Sequence, residues 1–221
     1  MMTNLFTTFD PASSTILSLN WMSSVWCILI LPMYYWVTPN RIYTIINMVM
    51  NSIYSEMKAL MGKKSSGMKI LMISLFTMIL LNNVNGLLPY MFTSSSHLSF
   101  TLSLALPMWV SLMLFGWINK TNLMFSHMIP NGTPNTLMPF MVMIETISNM
   151  IRPGSLAVRL TANMIAGHLL MSLLGNKISM SWSMPVIMMI QMMLMLFETA
   201  VALIQSYVFS ILSSLYSSEV I

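Results

Sequence analysis

Long runs of apolar residues alternate with short polar segments along the chain. The runs at 16–36, 70–92 and 98–118 each match the roughly 20 residues that an α-helix needs to cross a bilayer core of about 30 Å. Pro32 and Pro39 mark the end of the first run. The pattern therefore predicts three upright or tilted membrane helices.

The segment between the first two runs has an apolar face and a polar face. Its apolar residues recur at helical spacing, namely Ile42, Ile45, Ile46, Val49, Met50, Ile53, Met57 and Leu60. Polar residues occupy the other faces, among them Arg41, Asn47, Asn51, Glu56 and Lys58. This arrangement predicts an amphipathic helix that lies on the membrane surface.

The last two apolar runs, at 137–174 and 185–216, are too long to stand upright in a bilayer. As helices they would extend about 57 Å and about 48 Å at 1.5 Å per residue. We therefore expect a hairpin of two strongly inclined antiparallel helices joined through 175–183. We also expect one membrane domain over 1–221, with an N-terminal part at 1–130 and the hairpin at 131–221.

The composition supports an all-α polytopic membrane protein. The chain is 57% hydrophobic and 6% charged, which excludes a soluble fold because so few charges cannot cover an exterior in water. The net charge of +4 reflects topology and not a nucleic-acid-binding patch. By the positive-inside rule, the lysine cluster places its loop on the matrix or cytoplasmic side and Asp10 outside; its members are Lys58, Lys63, Lys64 and Lys69.

Two residue counts add to this picture. The single cysteine, Cys27, excludes an intrachain disulfide and a multi-cysteine metal site. Methionine occurs 29 times, without a reason in packing. A genetic code that reads some isoleucine codons as methionine would explain that excess, and animal mitochondria use such a code. This favours a protein encoded in the organelle.

The two longest runs contain polar and ionisable side chains at membrane depth: Glu145, Arg152, Arg159, His168, Glu198 and Gln205. A charge there costs about 2.5–3.5 kcal/mol on insertion scales, so each of these residues is a functional candidate. A simpler alternative is that Glu145 and Arg152 pair and only pin two helices together. The helix-bending Pro153–Gly154 pair beside Arg152 suits an anchoring role.

Arg159 has the strongest functional signal. Its guanidinium stays positively charged in every environment. Small residues that allow close helix approach make a narrow face beside it, at Ser155, Ala162 and Ala166. A fixed cation on such a face suits a carboxylate on a neighbouring protein. The alternative is ordinary packing with an intrachain salt bridge.

His168 points about 180° away from Arg159 on the same helix, because it lies nine residues further on. A titratable group opposite a fixed cation suits two aqueous approaches that must not connect. His168 exchanges protons near neutral pH, and Glu198 and Gln205 are two helical turns apart and can line one wet path. A histidine that only packs is the alternative for His168. His97 and His127 are predicted in loops.

The chain has no phosphate-binding glycine loop, zinc motif or nucleophile elbow. We therefore expect no metal, no cofactor and no directly bound nucleotide.

Two segments resemble subunit a of the F-type ATP synthase in its mitochondrial form. They are RPGSLAVRLTANMIAGHLL at 152–170 and ETAVALIQSYV at 198–208. The resemblance implies that Arg159 faces the carboxylates of the rotating c-ring. It also implies that Glu145 belongs to a matrix half-channel, and His168 and Glu198 to a half-channel from the intermembrane space. Asn163 and Gln205 match polar neighbours of the arginine.

The resemblance further implies a non-catalytic, proton-translocating stator subunit in the mitochondrial inner membrane. Its partners would be the c-ring proteolipid, other stator and membrane subunits and the lipid bilayer, with no nucleic acid. A secondary transporter is a competing interpretation, but repeated halves with matching broken helices are not found. A structural anchor is another, although it does not need an unpaired cation on a small-residue face.

Overall fold

The computed structural model describes residues 4–12, 18–32, 37–62, 65–129, 132–176 and 184–220, apart from the side chains at 27 and 30. Regular structure within these ranges is helical and includes no strand. The α-helices are α1 (Ser23–Ile30), α2 (Arg41–Met61), α3 (Ser66–Gly86), α4 (Leu98–Asn119), α5 (Thr121–Met128), α6 (Met138–Asn176) and α7 (Met184–Val220). Short 3-10 turns form at Leu5–Phe9, Asn20–Met22 and Ser94–Ser96.

The structure confirms an all-α polytopic membrane protein, because α3, α4, α6 and α7 are each long and apolar enough to cross a bilayer. The helices α3 and α4 match the second and third predicted spans. Pro107 lies inside α4 without ending it.

The first predicted span differs from the prediction. The 3-10 turn Asn20–Met22 continues into α1, which ends at Ile30. Leu31 has extended backbone angles because the ring of Pro32 disfavours a helical conformation in the residue before it. A continuous helix over 16–36 is therefore wrong, and the predicted ends at 16 and 36 lie outside the described residues.

The predicted amphipathic helix is confirmed as α2. The Asn40 side chain accepts a hydrogen bond from the Arg41 N–H at 2.9 Å, and Gly62 ends the helix with a φ of 70°. The second half of α2 packs on α3 and α7 through buried Met57 and its neighbours Ile53 and Met61. Exposed apolar side chains remain in its first half, at Ile42, Ile45 and Met48.

The predicted lysine cluster is only partly described, because 63 and 64 lie outside the described residues. Lys69 lies in the first turn of α3 and not in a loop, and it is 2% exposed. Lys69 thus lies at the start of α3, with its side chain buried inside the described part of the chain.

The two long helices α6 and α7 form the predicted antiparallel pair. They contain 39 and 37 residues, which corresponds to about 58 Å and about 55 Å. Gly167 of α6 lies against Glu198 of α7 near one end, and Arg152 of α6 pairs with Glu219 of α7 near the other.

The core holds one face of α6 against its neighbours. Its buried residues are Ile79 of α3, Ala105 of α4, Leu156, Ala157 and Leu160 of α6, and Phe209 of α7. Ser213 of α7 donates a hydrogen bond to the Met72 sulfur of α3 at 3.2 Å, which places the start of α3 beside the end of α7.

These contacts define two ends of the molecule. We call the end with Lys69, Lys120, Arg152 and Glu219 the lysine end, and the end with Asp10, His97, His168 and Glu198 the histidine end. At the lysine end, Gly116 of α4 lies so close to Val220 of α7 that an added Cβ would be 2.9 Å from its Cγ1.

Candidate functional site

Arg159 lies on the face of α6 that the rest of the described chain leaves uncovered. Ser155, Ala162 and Ala166 are exposed beside it, while Ala157 on the opposite face is completely buried. No carboxylate within the described ranges lies at ion-pair distance from Arg159. The intrachain salt bridge that the sequence left open is thus not formed there, and the cation is available to a partner.

Arg152 has the opposite environment. Its Nη2 lies 3.3 Å from Glu145 Oε1 and its Nη1 lies 3.1 Å from Glu219 Oε2. The guanidinium carbon also lies 5.0 Å from the ring centroid of Tyr216. The Glu145–Arg152 pair that the sequence offered as an alternative is therefore present, but both of its residues lie on α6. The contact of Arg152 with Glu219 is the one that ties α6 to the end of α7.

Sequence reasoning missed Glu219. It lies three residues beyond the end of the predicted fifth run, so it was not counted among the charges at membrane depth. Its role in this pair depends on the register of α7 against α6, which one sequence does not reveal.

A cavity of about 140 Å³ lies beside this charge cluster at the lysine end. Its lining includes Glu145, Asn149, Arg152, Glu219 and His127. His127 was predicted in a loop, which is wrong, because it lies in the last turn of α5. The helix α5 has only eight residues, too few for a clear periodic pattern.

His168 lies near the other end of α6. Its imidazole has the backbone of Gly86 in α3 as a hydrogen-bond partner. The Phe9 ring meets it edge-on, with 6.2 Å between the ring centroids. Its Nε2 is buried and has no hydrogen-bond partner among the described residues. His168 thus has one hydrogen-bonded side and one buried ring nitrogen without a partner among the described residues.

Glu198 is buried against α6, with 8% of its surface exposed and both carboxylate oxygens unpaired within the described part of the chain. The carboxylate fits there because residue 167 is glycine: an added Cβ would lie 2.7 Å from Glu198 Oε1. Sequence reasoning did not single out Gly167, although a glycine inside a helix next to a candidate histidine is a signal for close packing.

A second cavity, of about 320 Å³, brings four of the predicted site residues together. Asn163, His168, Glu198 and Gln205 line it, so residues of α6 and α7 that are far apart in the chain share one space. His168 also lines a larger cavity of about 790 Å³, which opens toward Asp10, Asn20 and Gln191.

The cavities beside Glu145 and beside Glu198 have no lining residue in common. Along α6, Arg159 lies about 21 Å from Glu145 and about 14 Å from His168, at 1.5 Å per residue. The uncovered cation therefore lies between two separate groups of ionisable side chains. No group of three metal-ligating side chains occurs within the described ranges.

Comparison with known proteins adds an independent result. A family model described as ATP synthase A chain matches residues 15–218. The ATP synthase subunit a of Locusta migratoria is 58% identical over all of this chain and all of that protein. The ATP synthase subunits a of Aedes aegypti and Drosophila melanogaster are each 56% identical, again over the full length of both chains.

Proposed function

The chain belongs to the ATP synthase A chain family, and we propose that it forms two offset aqueous half-channels against the rotating c-ring of that complex. As a family member it is a multi-pass, non-catalytic membrane subunit of ATP synthase, and the other subunits of the complex are its partners. We place it in the mitochondrial inner membrane, as the resemblance to the mitochondrial form implies.

The environment of Arg159 is the observation that carries the proposal. The cation is exposed on a small-residue face and lies between two cavities that share no lining residue. A guanidinium that cannot lose its proton stabilises an ionised carboxylate that comes near it. It also repels a proton that would pass directly from one cavity to the other, and so prevents leakage.

Proton entry is assigned to the histidine end. A proton passes His168 and Glu198, whose unpaired oxygens accept and release it, and reaches a carboxylate of the c-ring. Asn163 and Gln205 line the same cavity, where their amides hydrogen-bond the water that carries the proton. The neutralised carboxylate then rotates into the lipid.

Proton exit is assigned to the lysine end. A protonated carboxylate that has completed the rotation loses its proton toward Glu145 and then pairs with Arg159. Arg152 holds Glu145 in place through the 3.3 Å contact, and is thus a positioning residue of the exit path. One charge that crosses the membrane yields about 2.3 kcal/mol per 100 mV, so several crossings are coupled to one ATP.

Thiol-directed photo-cross-linking in the assembled membrane tests the rotor contact. Cysteine is placed at Ala162, one turn from Arg159, in a Cys27→Ser background and is labelled with a benzophenone maleimide, which needs no cysteine on the partner. We expect capture of a small proteolipid with an intramembrane carboxylate. Ser74→Cys, on an exposed position of α3, is the control and is expected not to capture it. Capture of nothing at Ala162, or of a second copy of this chain, would favour the transporter or anchor alternative.

The role of Arg159 has its own readout in the same membranes. Arg159→Ala is expected to abolish coupled ATP synthesis and to permit a passive proton leak. Coupled synthesis that survives this change would contradict the proposed mechanism.

A further inference from the structure

We propose that Asp10 is the outermost proton-exchanging group of the entry path, and that the segment Leu5–Asp10 forms the mouth through which protons reach His168. This inference rests on the proposed function and extends it to a part of the chain outside the two long helices. It assigns a role to a carboxylate that neither resembling segment includes.

The segment lies directly on the end of α6 that carries His168. The 3-10 turn Leu5–Phe9 packs against α6, and the Phe9 ring meets the His168 imidazole edge-on. Asn20 fixes the segment from the other side, because its side-chain amide donates a hydrogen bond of 2.9 Å to the carbonyl of Pro11. Asp10, between Phe9 and Pro11, is therefore held near His168 by contacts on both sides.

Asp10 and His168 line the same cavity of about 790 Å³. This volume is far larger than the roughly 30 Å³ that one water takes in the liquid, so several waters fit in the space that both side chains line. Thr7, Thr8 and Gln191 add polar groups to the lining. Asp10 is exposed at this cavity, and no described residue forms an ion pair with it.

A carboxylate at the mouth of a cavity does two things for proton entry. Its negative charge raises the local concentration of protons, and its oxygens take up a proton and release it to the water inside. The other titratable side chains in this lining are Tyr90 and His168. Asp10 is therefore the acidic group of the mouth, and the lysines of the described chain lie at the opposite end.

The experiment measures ATP synthesis by the complete complex reconstituted in liposomes, with control of pH and buffer on the entry side. At alkaline pH and low buffer concentration, proton supply limits the rate. Under these conditions we expect Asp10→Asn to lower the rate at least about threefold. At acidic pH, or with imidazole added as a mobile proton carrier, the rate should return to nearly that of the unchanged complex.

Two variants separate charge from structure. Asp10→Glu is expected to keep the rate under all conditions. Asp10→Cys in the Cys27→Ser background is expected to stay slow after a neutral methanethiosulfonate reagent and to regain the rate after a carboxyethyl reagent, which restores a carboxylate at this position. Glu56→Gln removes a carboxylate of α2 that does not line this cavity, and should show no dependence on buffer.

Each other outcome decides against the inference. A deficit in Asp10→Asn that is equal at all pH values and buffer concentrations means a structural role, and no deficit means no role. Either of these results for Asp10→Asn can occur together with a loss of coupled synthesis in Arg159→Ala. The proposed function then stands, and only the role of Asp10 is overturned. If Arg159→Ala retains coupled synthesis, the proposed function fails and this inference fails with it.

Discussion

Arg152 and Arg159 lie two turns apart on α6, and their surroundings give them different tasks. Arg152 contacts two carboxylates and the ring of Tyr216, so its charge is neutralised within the chain. Arg159 has no such contact among the described residues and lies on an exposed face. A single sequence shows two similar arginines, whereas the fold shows one that is paired within the chain and one that is exposed without an ion pair among the described residues.

Gly167 gives a prediction at the scale of one methyl group. In Gly167→Ala the new Cβ would lie 2.7 Å from Glu198 Oε1 and 2.8 Å from Cδ, a distance that requires the carboxylate to move. We expect proton-driven ATP synthesis to fall at least about tenfold, because displaced proton-exchanging groups transfer protons poorly. The measurement is coupled synthesis in reconstituted complexes, with assembly checked on native gels.

Gly154 provides the matched control for this prediction. It is also a glycine of α6, but an added Cβ there meets nothing within 4 Å. Gly154→Ala should leave synthesis unchanged. Equal loss in both variants would mean that α6 tolerates no added methyl group, and would remove the special role given to the contact with Glu198.

The environment of a single residue could be predicted from the sequence where that environment depends on one helix only. The face of Ser155, Arg159 and Ala162 follows from helical spacing alone, and the structure leaves it exposed. The contact between Gly167 and Glu198 depends on the register of α7 against α6, which has no local signal. Roles that rest on a partner, such as the c-ring contact of Arg159, stay predictions.

At the scale of elements, length and periodicity predicted the long helices well. The lower and upper bounds of α6 lie within two residues of the predicted run at 137–174. Short elements were harder, because α5 has eight residues and the first apolar run contains a proline that stops α1. Hydropathy alone counts apolar residues and does not register where backbone geometry ends a helix.

The packing of α2 gives a prediction at this scale. Met57 is fully buried in a cluster with Ile53 of α2 and Phe76 of α3, so Met57→Ala leaves a cavity. We expect the free energy of unfolding to fall by about 2–5 kcal/mol. The measurement is the midpoint of thermal inactivation of the detergent-solubilised complex, which should drop.

Met48 of the same helix is the control, since it is 73% exposed. Met48→Ala should change the free energy of unfolding by no more than about 0.5 kcal/mol. If the two variants behave alike, α2 does not pack on α3 and α7 in the assembled complex.

At the scale of the whole molecule, the basic residues Lys69, Lys120 and Arg152 lie at the lysine end, together with the carboxylates of Glu145 and Glu219. The carboxylates of Asp10 and Glu198 lie at the histidine end, where the described residues include no lysine. In the proposed mitochondrial location, the positive-inside rule predicts that the lysine end faces the matrix. The proposed proton path then runs from the histidine end of α6 to its lysine end.

Labelling with a membrane-impermeant maleimide tests this orientation. Ala12→Cys and Ser218→Cys are made separately in a Cys27→Ser background, because both positions are exposed and lie near opposite ends. We expect residue 12 to react in mitoplasts, where the outer membrane is removed, and residue 218 to react only in inverted inner-membrane vesicles. The opposite result would reverse entry and exit: Glu145 would then take up protons and His168 would release them, while the role of Arg159 between the two cavities would not change.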